Sequence, residues 1–213
     1  MKKLLLIATI STTLFTSTIS FAEENEFYVK AEAGATFLNN IKDKFFNTKM
    51  KSKAIGVFGL GAGYYVMENV RTDLSLHFLA NPQFKKSTGG NWVNNSVKHK
   101  GKVMTLLLNG YVDLFDGGVA KLFAGAGIGW SQAKEKIEGL VSGVTKKYST
   151  KKANNFAYQL TIGAAAEVTE GVAAELSYRW SDYGKTKKVK EEQQLGNTSY
   201  KGHNVILGVK FDI

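Results

Sequence analysis

The fold is decided by a stretch near the start of the chain, Phe27-Tyr-Val-Lys-Ala-Glu-Ala-Gly-Ala-Thr-Phe37, in which two kinds of side chain alternate. The odd-numbered residues are apolar, and the even-numbered residues are polar or as small as glycine. Successive side chains of a β-strand point to opposite faces, so this period of two predicts a strand with one apolar and one polar face.

The same alternation returns seven times along the chain. The further segments are 57–64, 70–78, 104–113, 121–130, 156–167, 172–180 and 204–213. Each is near the roughly 9–11 residues of a tilted membrane strand, and eight such strands make the smallest barrel of this kind. We therefore predict an all-β fold, an eight-stranded antiparallel up-and-down transmembrane β-barrel. The 22 glycines and single proline agree, because proline cannot donate to a strand ladder and glycine fits a crowded lumen.

A soluble lipocalin-like barrel, with its apolar face turned inward, is the competing interpretation. Two observations favour the membrane. The polar face carries charges of both signs among many alternating glycines, as a narrow lumen requires. Aromatic residues also fall near both ends of the apolar faces, as in the interfacial belts of membrane strands. These residues are Phe27, Tyr64 and Phe211 at one end, and Phe37, Phe78, Trp130, Phe156, Tyr178 and Trp180 at the other.

The first 22 residues have the pattern of a secretory signal peptide. Met1-Lys-Lys3 is basic, an apolar stretch follows from Leu4, and Ser20-Phe-Ala22 offers small residues at a cleavage site. We predict that residues 1–22 are removed and that 23–213 form the barrel domain. The chain has no cysteine, which excludes a lipidated amino terminus, a disulfide framework and thiolate metal sites.

The predicted connections alternate between short and long. Long, polar, lysine-rich loops are predicted at about 38–53, 80–102, 132–153 and 184–202. Outer-membrane barrels have short periplasmic turns and long external loops. We therefore expect a protein of the bacterial cell outer membrane, with these four loops at the cell surface and both mature termini in the periplasm.

The polar face predicts a network of charges inside the barrel. Its expected members are Glu32, Arg71, Asp73, Glu167, Glu175 and Arg179. Arg71 and Arg179 are the chain's only arginines, and the rigid guanidinium group suits buried carboxylate partners. A charged gate or proton path is one interpretation. A paired plug that fills the lumen is favoured, because an eight-stranded barrel has room for little beyond side chains.

The basic charge of the chain is concentrated in the predicted loops. They hold 21 lysines and 5 acidic residues, whereas the rest of the mature chain holds 5 basic and 13 acidic residues. Such a field attracts polyanions: lipopolysaccharide phosphates of the same cell, or sulfated glycans and acidic proteins of another. An AT-rich genome that favours lysine is the alternative explanation. The candidate partner-binding residues are Lys85, Lys86, Lys146, Lys147, Lys151, Lys152, Lys185, Lys187, Lys188 and Lys190.

The sequence predicts no catalysis. His77 with Ser75 or Asp73 is the nearest candidate constellation, and a histidine at the membrane rim is the favoured interpretation. The alternating glycines at 59–63 and 125–129 lack the spacing of a dinucleotide fingerprint, and no metal-ligand spacing occurs. We expect no enzyme activity, no cofactor, no metal and no nucleic-acid partner.

Seven stretches carry a resemblance to a known family. They are Met1-Lys-Lys-Leu-Leu-Leu-Ile-Ala8, Gly61-Ala-Gly-Tyr-Tyr-Val-Met-Glu-Asn-Val-Arg-Thr-Asp-Leu74, Leu108-Asn-Gly-Tyr-Val-Asp113, Phe123-Ala-Gly-Ala-Gly127, Asn155-Phe-Ala-Tyr-Gln-Leu160, Tyr183-Gly-Lys-Thr-Lys187 and Tyr200-Lys-Gly-His-Asn204. They resemble the small outer-membrane surface adhesins of the Rickettsia group. More loosely, the barrel is similar to the opacity-protein and OmpA-like families. The resemblance implies an eight-stranded barrel that attaches to host cells and captures the serum protein vitronectin, with no catalytic residues.

Pattern and resemblance together predict a surface adhesin that contacts a host-cell receptor or a serum protein through its extracellular loops. The alternative is a structural barrel that binds lipopolysaccharide and supports membrane integrity. A narrow pore is disfavoured because eight strands leave little lumen. The expected partners also include outer-membrane lipid, and we expect a monomer.

Overall fold

A computed structural model of the protein describes residues 27–39, 41–43, 48–50, 54–80, 83–87, 96–116, 120–141, 144–187 and 198–213. The predicted signal peptide lies outside the described residues. Twelve strands are described, and none of the described segments is a helix with the length and apolar character needed to cross a bilayer. The strands are β1 Phe27–Leu38, β2 Ile41–Asp43, β3 Thr48–Met50, β4 Ile55–Met67, β5 Val70–Leu79, β6 Gln83–Ser87, β7 Ser96–Asp116, β8 Ala120–Val141, β9 Val144–Ser149, β10 Ala153–Thr169, β11 Val172–Lys185 and β12 Ser199–Asp212.

Eight of these strands close into an antiparallel barrel. Its strands are, in order around the wall, β1, β4, β5, β7, β8, β10, β11 and β12. Each pairs with the next along the chain, and β12 pairs back with β1 from Tyr28 opposite Asp212 to Leu38 opposite Gly202. This is the up-and-down, eight-stranded topology that the alternation predicted. We call the end with the short β4–β5, β7–β8 and β10–β11 connections the turn end, and the opposite end the loop end.

The barrel has an apolar outside and a polar inside. Leu60, Leu160 and Leu207 are 64 %, 56 % and 65 % exposed on the outer wall, whereas Glu32 and Arg71 are 6 % and 3 % exposed inside. In water this arrangement would be unfavourable, because burial of apolar area is the main driving force of folding. It is the expected arrangement in lipid, where every backbone polar group must find its partner within a closed sheet.

Aromatic side chains lie at both ends of the apolar outer wall, as predicted. At the turn end, the rings of Phe27 and Tyr64 are 5.3 Å apart between centroids. At the loop end, Tyr158 and Trp180 are 5.5 Å apart, and Phe156 is 66 % exposed beside them. Aromatic rings with a polar edge are most stable at the boundary between hydrocarbon and headgroups, so the two belts mark the height of the membrane band.

The predicted long loops contain more strand than the sequence indicated. β2 and β3 form a hairpin within 38–53, β6 and the start of β7 lie within 80–102, and the end of β8 and β9 lie within 132–153. β7 and β8 are 21 and 22 residues long, about twice what a tilted strand needs to cross a bilayer. Backbone hydrogen bonds between neighbouring strands stabilise these extensions, and their mixed polar composition conceals them from a search for apolar alternation.

Glycines leave room for large side chains in the narrow lumen. A Cβ added at Gly127 would lie 1.9 Å from Asn109 Oδ1, and one at Gly63 would lie 2.2 Å from the Tyr28 ring. Both contacts are far shorter than van der Waals distance. Gly63 and Gly127 are therefore required by the packing of the interior.

Candidate functional site

The lumen is filled by a connected network of charged groups, in which Glu32 is central. Arg179 donates to both carboxylate oxygens of Glu32, from Nη1 at 2.9 Å and from Nη2 at 2.5 Å. Lys30 Nζ lies 3.1 Å from Glu32 Oε1, and His77 Nε2 lies 3.0 Å from Oε2. The alternation of β1 places Lys30 and Glu32 on its inner face, and the forked Arg179 approaches from β11.

Asp73 forms a second centre, nearer the turn end. Its carboxylate accepts from Lys30 Nζ at 2.6 Å, from Asn109 Nδ2 at 2.6 Å and from Tyr28 Oη at 3.2 Å. Asn109 also accepts from Gln159 Nε2 at 2.8 Å, which connects β5, β7 and β10 across the lumen. Lys30 thus bridges the two carboxylates and makes one network of the two centres.

Arg71 and Glu175 make the third pair, 2.6 Å apart between Nη1 and Oε1. The Arg71 guanidinium also lies 4.9 Å from the Tyr111 ring centroid and 4.8 Å from that of Phe123. An arginine between aromatic faces gains cation–π stabilisation in addition to its ion pair. The six ions of the network, Lys30, Arg71, Arg179, Glu32, Asp73 and Glu175, carry equal numbers of positive and negative charges.

Two sequence predictions about this network were wrong. Glu167 is exposed: it lies at the turn end of β10, beside a register irregularity between Glu167 and Thr169, where the strand has left the lumen. His77 is not a rim histidine: it is 3 % exposed and bound to Glu32. The sequence had assigned His77 to the polar face, but only the closure of the sheet brings it to the Glu32 carboxylate, 45 residues away.

The candidate catalytic constellation, His77 with Ser75 or Asp73, consists of side chains that are already bound within the same network. Ser75 Oγ lies 3.2 Å from Asp73 Oδ1 and 2.6 Å from Asn109 Nδ2, whereas His77 points to Glu32. A nucleophile needs its base within hydrogen-bond reach and access to substrate. Ser75 is 1 % exposed, so this constellation is part of the filled lumen.

A small cavity, of about the size one water molecule needs, lies beside Glu32, His77 and Arg179. Gln159 and Asn204 also line it. Two buried polar atoms nearby, Arg179 Nε and Gln159 Oε1, have no hydrogen-bond partner among the described residues.

Toward the loop end, an apolar layer replaces the charges. Its buried members are Leu38, Ile55, Val57, Leu79, Val103, Ala133, Tyr183, Tyr200 and Ile206. Seven of the eight barrel strands, all except β10, contribute a side chain to this layer. An ion that crossed the barrel would therefore pass both a paired charge network and a buried apolar layer.

Beyond that layer, Glu135 joins three segments of the loop end. Its carboxylate accepts from Thr186 Oγ1 at 3.0 Å and from Thr198 Oγ1 at 3.0 and 3.2 Å. Its backbone N–H donates to Thr150 Oγ1 at 3.0 Å. Glu135 is 0 % exposed, although the sequence places it in a predicted loop. The structure thus reveals a buried carboxylate that the strand pattern did not indicate.

The candidate partner-binding lysines that the structure describes lie at the loop end. The side chains of Lys147, Lys151, Lys152, Lys185 and Lys187 are exposed there. Lys85, Lys86 and Lys146 are on β6 and β9, with side chains outside the described part, and Lys188 and Lys190 lie outside the described residues. Another loop-end lysine, Lys201, is paired at 2.7 Å with Asp182, and this hydrogen bond raises the pKa of the lysine.

The family of the chain is identified by a family model that matches almost all of its residues. A model of the outer membrane protein beta-barrel domain matches residues 6–212. The chain belongs to this family of outer-membrane β-barrels. As a family member, it is a protein of the bacterial outer membrane, and its apolar outer wall is the surface that faces lipid.

Full-length relatives of this family member come from Rickettsia. A protein of Rickettsia conorii described as a “putative adhesin” is 42 % identical over 249 residues, and one of Rickettsia typhi with the same description is 42 % identical over 225 residues. Each alignment covers 100 % of both chains. The resemblance to the Rickettsia surface adhesins is therefore confirmed.

Solved structures agree on the fold. Neisserial surface protein A has a TM-score of 0.53 at 15 % identity, with 88 % of this chain and 97 % of that one covered. The outer membrane protein OprG of Pseudomonas aeruginosa also has a TM-score of 0.53, at 14 % identity, with coverages of 90 % and 97 %. The attachment invasion locus protein Ail of Yersinia pestis, solved with the heparin analogue sucrose octasulfate, has a TM-score of 0.50 at 13 % identity, with coverages of 90 % and 100 %.

Proposed function

We propose that this outer-membrane barrel is a surface adhesin that attaches the bacterium to host cells through its loop end. In this proposal the loop end faces the medium and both mature termini are periplasmic. The barrel is the rigid support, and the exposed lysines make the contacts. The serum protein vitronectin is a second proposed partner, which rests on the resemblance to the Rickettsia adhesins.

The observation that carries the proposal is the unequal distribution of charge along the barrel axis. The ions within the lumen neutralise one another in close pairs. Exposed lysines such as Lys147, Lys151 and Lys187 instead lie at the loop end, where they add to a positive field. A field of one sign attracts an oppositely charged partner and speeds its association. The 42 % identical relatives described as adhesins support the same function.

The chemistry of the partner follows from this charge. Lysine is a flexible point charge that binds sulfate, phosphate and carboxylate groups without demanding one geometry. Sulfated glycans and acidic protein segments of the host surface have these groups. The structure of Ail with sucrose octasulfate shows that a barrel of this fold accommodates a sulfated ligand, which supports the proposal by analogy.

The first experiment displays the barrel on a non-adherent bacterium and measures attachment to cultured host cells. We compare the full barrel with a loop variant in which Lys147, Lys151, Lys185 and Lys187 are replaced by Gln. The loop variant should attach less, and its attachment should depend less on salt, because four exposed charges are lost. Equal amounts of the two barrels in the isolated outer-membrane fraction, measured with an antibody to a periplasmic tag, are the control.

A barrel that confers no attachment when fully expressed would contradict the adhesin proposal. The structural alternative would then gain support, provided that deletion of the protein makes the outer membrane permeable to large antibiotics while attachment stays normal. Attachment that is unchanged in the loop variant would instead reject lysine charge as the mechanism of an adhesin. The two results separate the function from its proposed mechanism.

A further inference from the structure

The small cavity in the lumen lies where the charge network meets the apolar layer. Glu32, His77 and Arg179 of the network line it together with Tyr183 and Ile206 of the apolar layer. It has room for one molecule of the size of water. A polar ligand can bind at such a place only if buried donors and acceptors meet it there, because burial of an unbonded polar group is unfavourable.

Arg179 brings an unused donor to this cavity. Its Nη1 and Nη2 atoms both donate to the carboxylate of Glu32. Its third donor atom, Nε, is buried and has no acceptor among the residues that the structure describes. A buried donor that stays unbonded costs the full desolvation of its N–H group. The bidentate pair with Glu32 fixes the guanidinium plane, so Nε cannot turn elsewhere without breaking that pair.

Gln159 brings an unused acceptor, and the charge of Asp73 decides which end of the amide it is. The Asp73 carboxylate only accepts, so Asn109 presents its Nδ2 to it, at 2.6 Å. The Oδ1 of Asn109 therefore faces Gln159 and accepts from Nε2 at 2.8 Å. This leaves the Gln159 Oε1 atom, which is buried and has no donor within the described part of the chain.

The unused donor and the unused acceptor belong to neighbouring side chains. Thr161 of β10 lies opposite Arg179 of β11, and Gln159 lies opposite Ser181, so Gln159 and Arg179 are diagonal neighbours. Both are buried on the inner face of the wall, and both line the cavity. Diagonal neighbours on paired strands are within reach of each other when their side chains are long. A small molecule between them can bond to both.

From this geometry we propose that the cavity binds one water molecule, which accepts from Arg179 Nε–H and donates to Gln159 Oε1. A cation there would meet the guanidinium of Arg179, and an anion would meet the carboxylate of Glu32. A neutral molecule that both donates and accepts satisfies the two atoms. A bridging water is nearly as favourable in enthalpy as a direct hydrogen bond.

The bound water closes a ring of hydrogen bonds through the lumen. The ring runs through Asp73, Asn109, Gln159, the water, Arg179, Glu32 and Lys30, and returns to Asp73. The six ions of the network lie on β1, β5 and β11. Gln159 joins β10 to both carboxylate centres, to one through Asn109 and to the other through the water. The water is thus part of the interior structure, and it lies within the lumen irrespective of the adhesin proposal.

The experiment uses nuclear magnetic resonance of the refolded mature barrel in detergent micelles, with ¹⁵N in its arginines. Arg71 and Arg179 are the chain's only arginines, so the Nε–H region holds two signals. The Arg179 Nε–H proton should show a nuclear Overhauser effect to water, and its rotating-frame counterpart should have the opposite sign. Opposite signs identify dipolar contact with a bound water, whereas equal signs identify exchange of the proton with solvent.

Gln159→Met is the decisive variant, because it keeps the length of the side chain and removes the acceptor. It should lose the water contact of Arg179 and lower the urea midpoint of unfolding, since both carboxylate centres lose a link. Gln132→Met, on the outer wall, is the matched control and should keep the contact. The measurement on the wild type tests the water site even if Gln159→Met fails to refold.

Two hydroxyl groups near the site give a direct check, because a hydroxyl proton that exchanges with solvent imitates a bound water. Thr161 Oγ1 is buried opposite Arg179 and has no hydrogen-bond partner among the described residues, and Tyr183 lines the cavity. Thr161→Val and Tyr183→Phe should both keep the water contact. Its loss in Thr161→Val alone would mean that Arg179 Nε donates to that hydroxyl, and its loss in Tyr183→Phe would assign it to the phenol.

Three further results would overturn the inference. One is the absence of any water contact at Arg179 in the folded wild type, and another is equal signs of the two Overhauser effects. A contact that persists in Gln159→Met would show that Gln159 does not hold the water and that the ring is open at this point.

Discussion

At the scale of single residues, the interior is arranged around Glu32. One carboxylate accepts from Arg179 and lies within 3.1 Å of Lys30 and His77, on three different strands. Buried ion pairs contribute little compared with apolar packing, but removal of one partner leaves an uncompensated charge. The members of the network should therefore be sensitive to single changes.

Glu32→Gln should destabilise the barrel by about 3 kcal/mol, because Arg179 and Lys30 lose their shared counter-charge in a buried site. Urea unfolding of the refolded protein in vesicles measures this loss. Glu167→Gln is the matched control: this glutamate is exposed at the turn end, and its change should stay within about 0.5 kcal/mol. Equal effects of the two variants would contradict the central position of Glu32.

Gly127 is the second residue on which the interior depends. Gly127→Ala should cost about 1–3 kcal/mol, because its Cβ would displace an Asn109 side chain already held by Asp73 and Gln159. The neighbouring Gly110→Ala is the control, since a Cβ there would meet nothing within 4 Å. Thermal unfolding compares the two. A tolerated alanine at 127 would mean that the Asn109 amide is free to move.

At the scale of elements, the long β7–β8 hairpin extends the barrel wall well beyond the lipid. Its outer half contributes Glu135, which holds Thr186 at the end of β11 and Thr198 before β12. Hydrogen bonds to a charged group contribute about 1.5–3 kcal/mol each. The extended wall thus fixes the two positions, Thr186 and Thr198, at which the chain leaves β11 and enters β12.

Glu135→Ala should increase tryptic cleavage after Lys185 and Lys187 on the order of tenfold, because the strand end loses its hydrogen bonds to the wall. The membrane-embedded strands should stay protected. Limited proteolysis of the protein in vesicles, followed by mass spectrometry, gives the rates at each site. Glu170→Ala, an exposed glutamate at the turn end, is the control. Unchanged cleavage would show that Glu135 does not hold this segment.

At the scale of the whole molecule, the barrel combines a filled lumen with two polar ends of different character. Paired ions fill the middle, an apolar layer follows toward the loop end, and exposed lysines lie beyond it. The interior of an eight-stranded barrel is just wide enough for such side chains. The molecule is therefore a rigid support for surfaces on its outside, which is consistent with an adhesin.

The filled lumen predicts that the protein conducts no steady ionic current. In planar bilayers at high salt, the refolded barrel should stay at the conductance of the protein-free membrane, because ions cannot displace the paired network or hydrate the apolar layer. A porin of known conductance, reconstituted in the same preparation, controls for insertion. Reproducible single-channel steps from this barrel would contradict the plug and support the charged-gate interpretation.

The sequence by itself contains the alternation of apolar and polar residues, and this alternation determines the fold and the direction of most side chains in the wall. A period of two over eight segments is sufficient for the strand number, the apolar outer wall, the aromatic belts and the inward direction of Glu32, Arg71, Asp73, Glu175 and Arg179. These properties are local, because each strand assigns its side chains to two faces irrespective of its neighbours. The composition of the predicted loops likewise indicated that the lysines are concentrated at the loop end.

Pairing across the barrel is a property of the tertiary structure alone. Three contacts depend on the register between strands that are distant in sequence. They are the bridge from Lys30 to Glu32 and Asp73, the contact of His77 with Glu32, and the pairing of Lys102 opposite Lys134. The outer parts of β7 and β8, and Glu167 beyond the lumen, follow from where the neighbouring strands end. A period of two tells which face a residue occupies, but only closure of the sheet decides what it meets there.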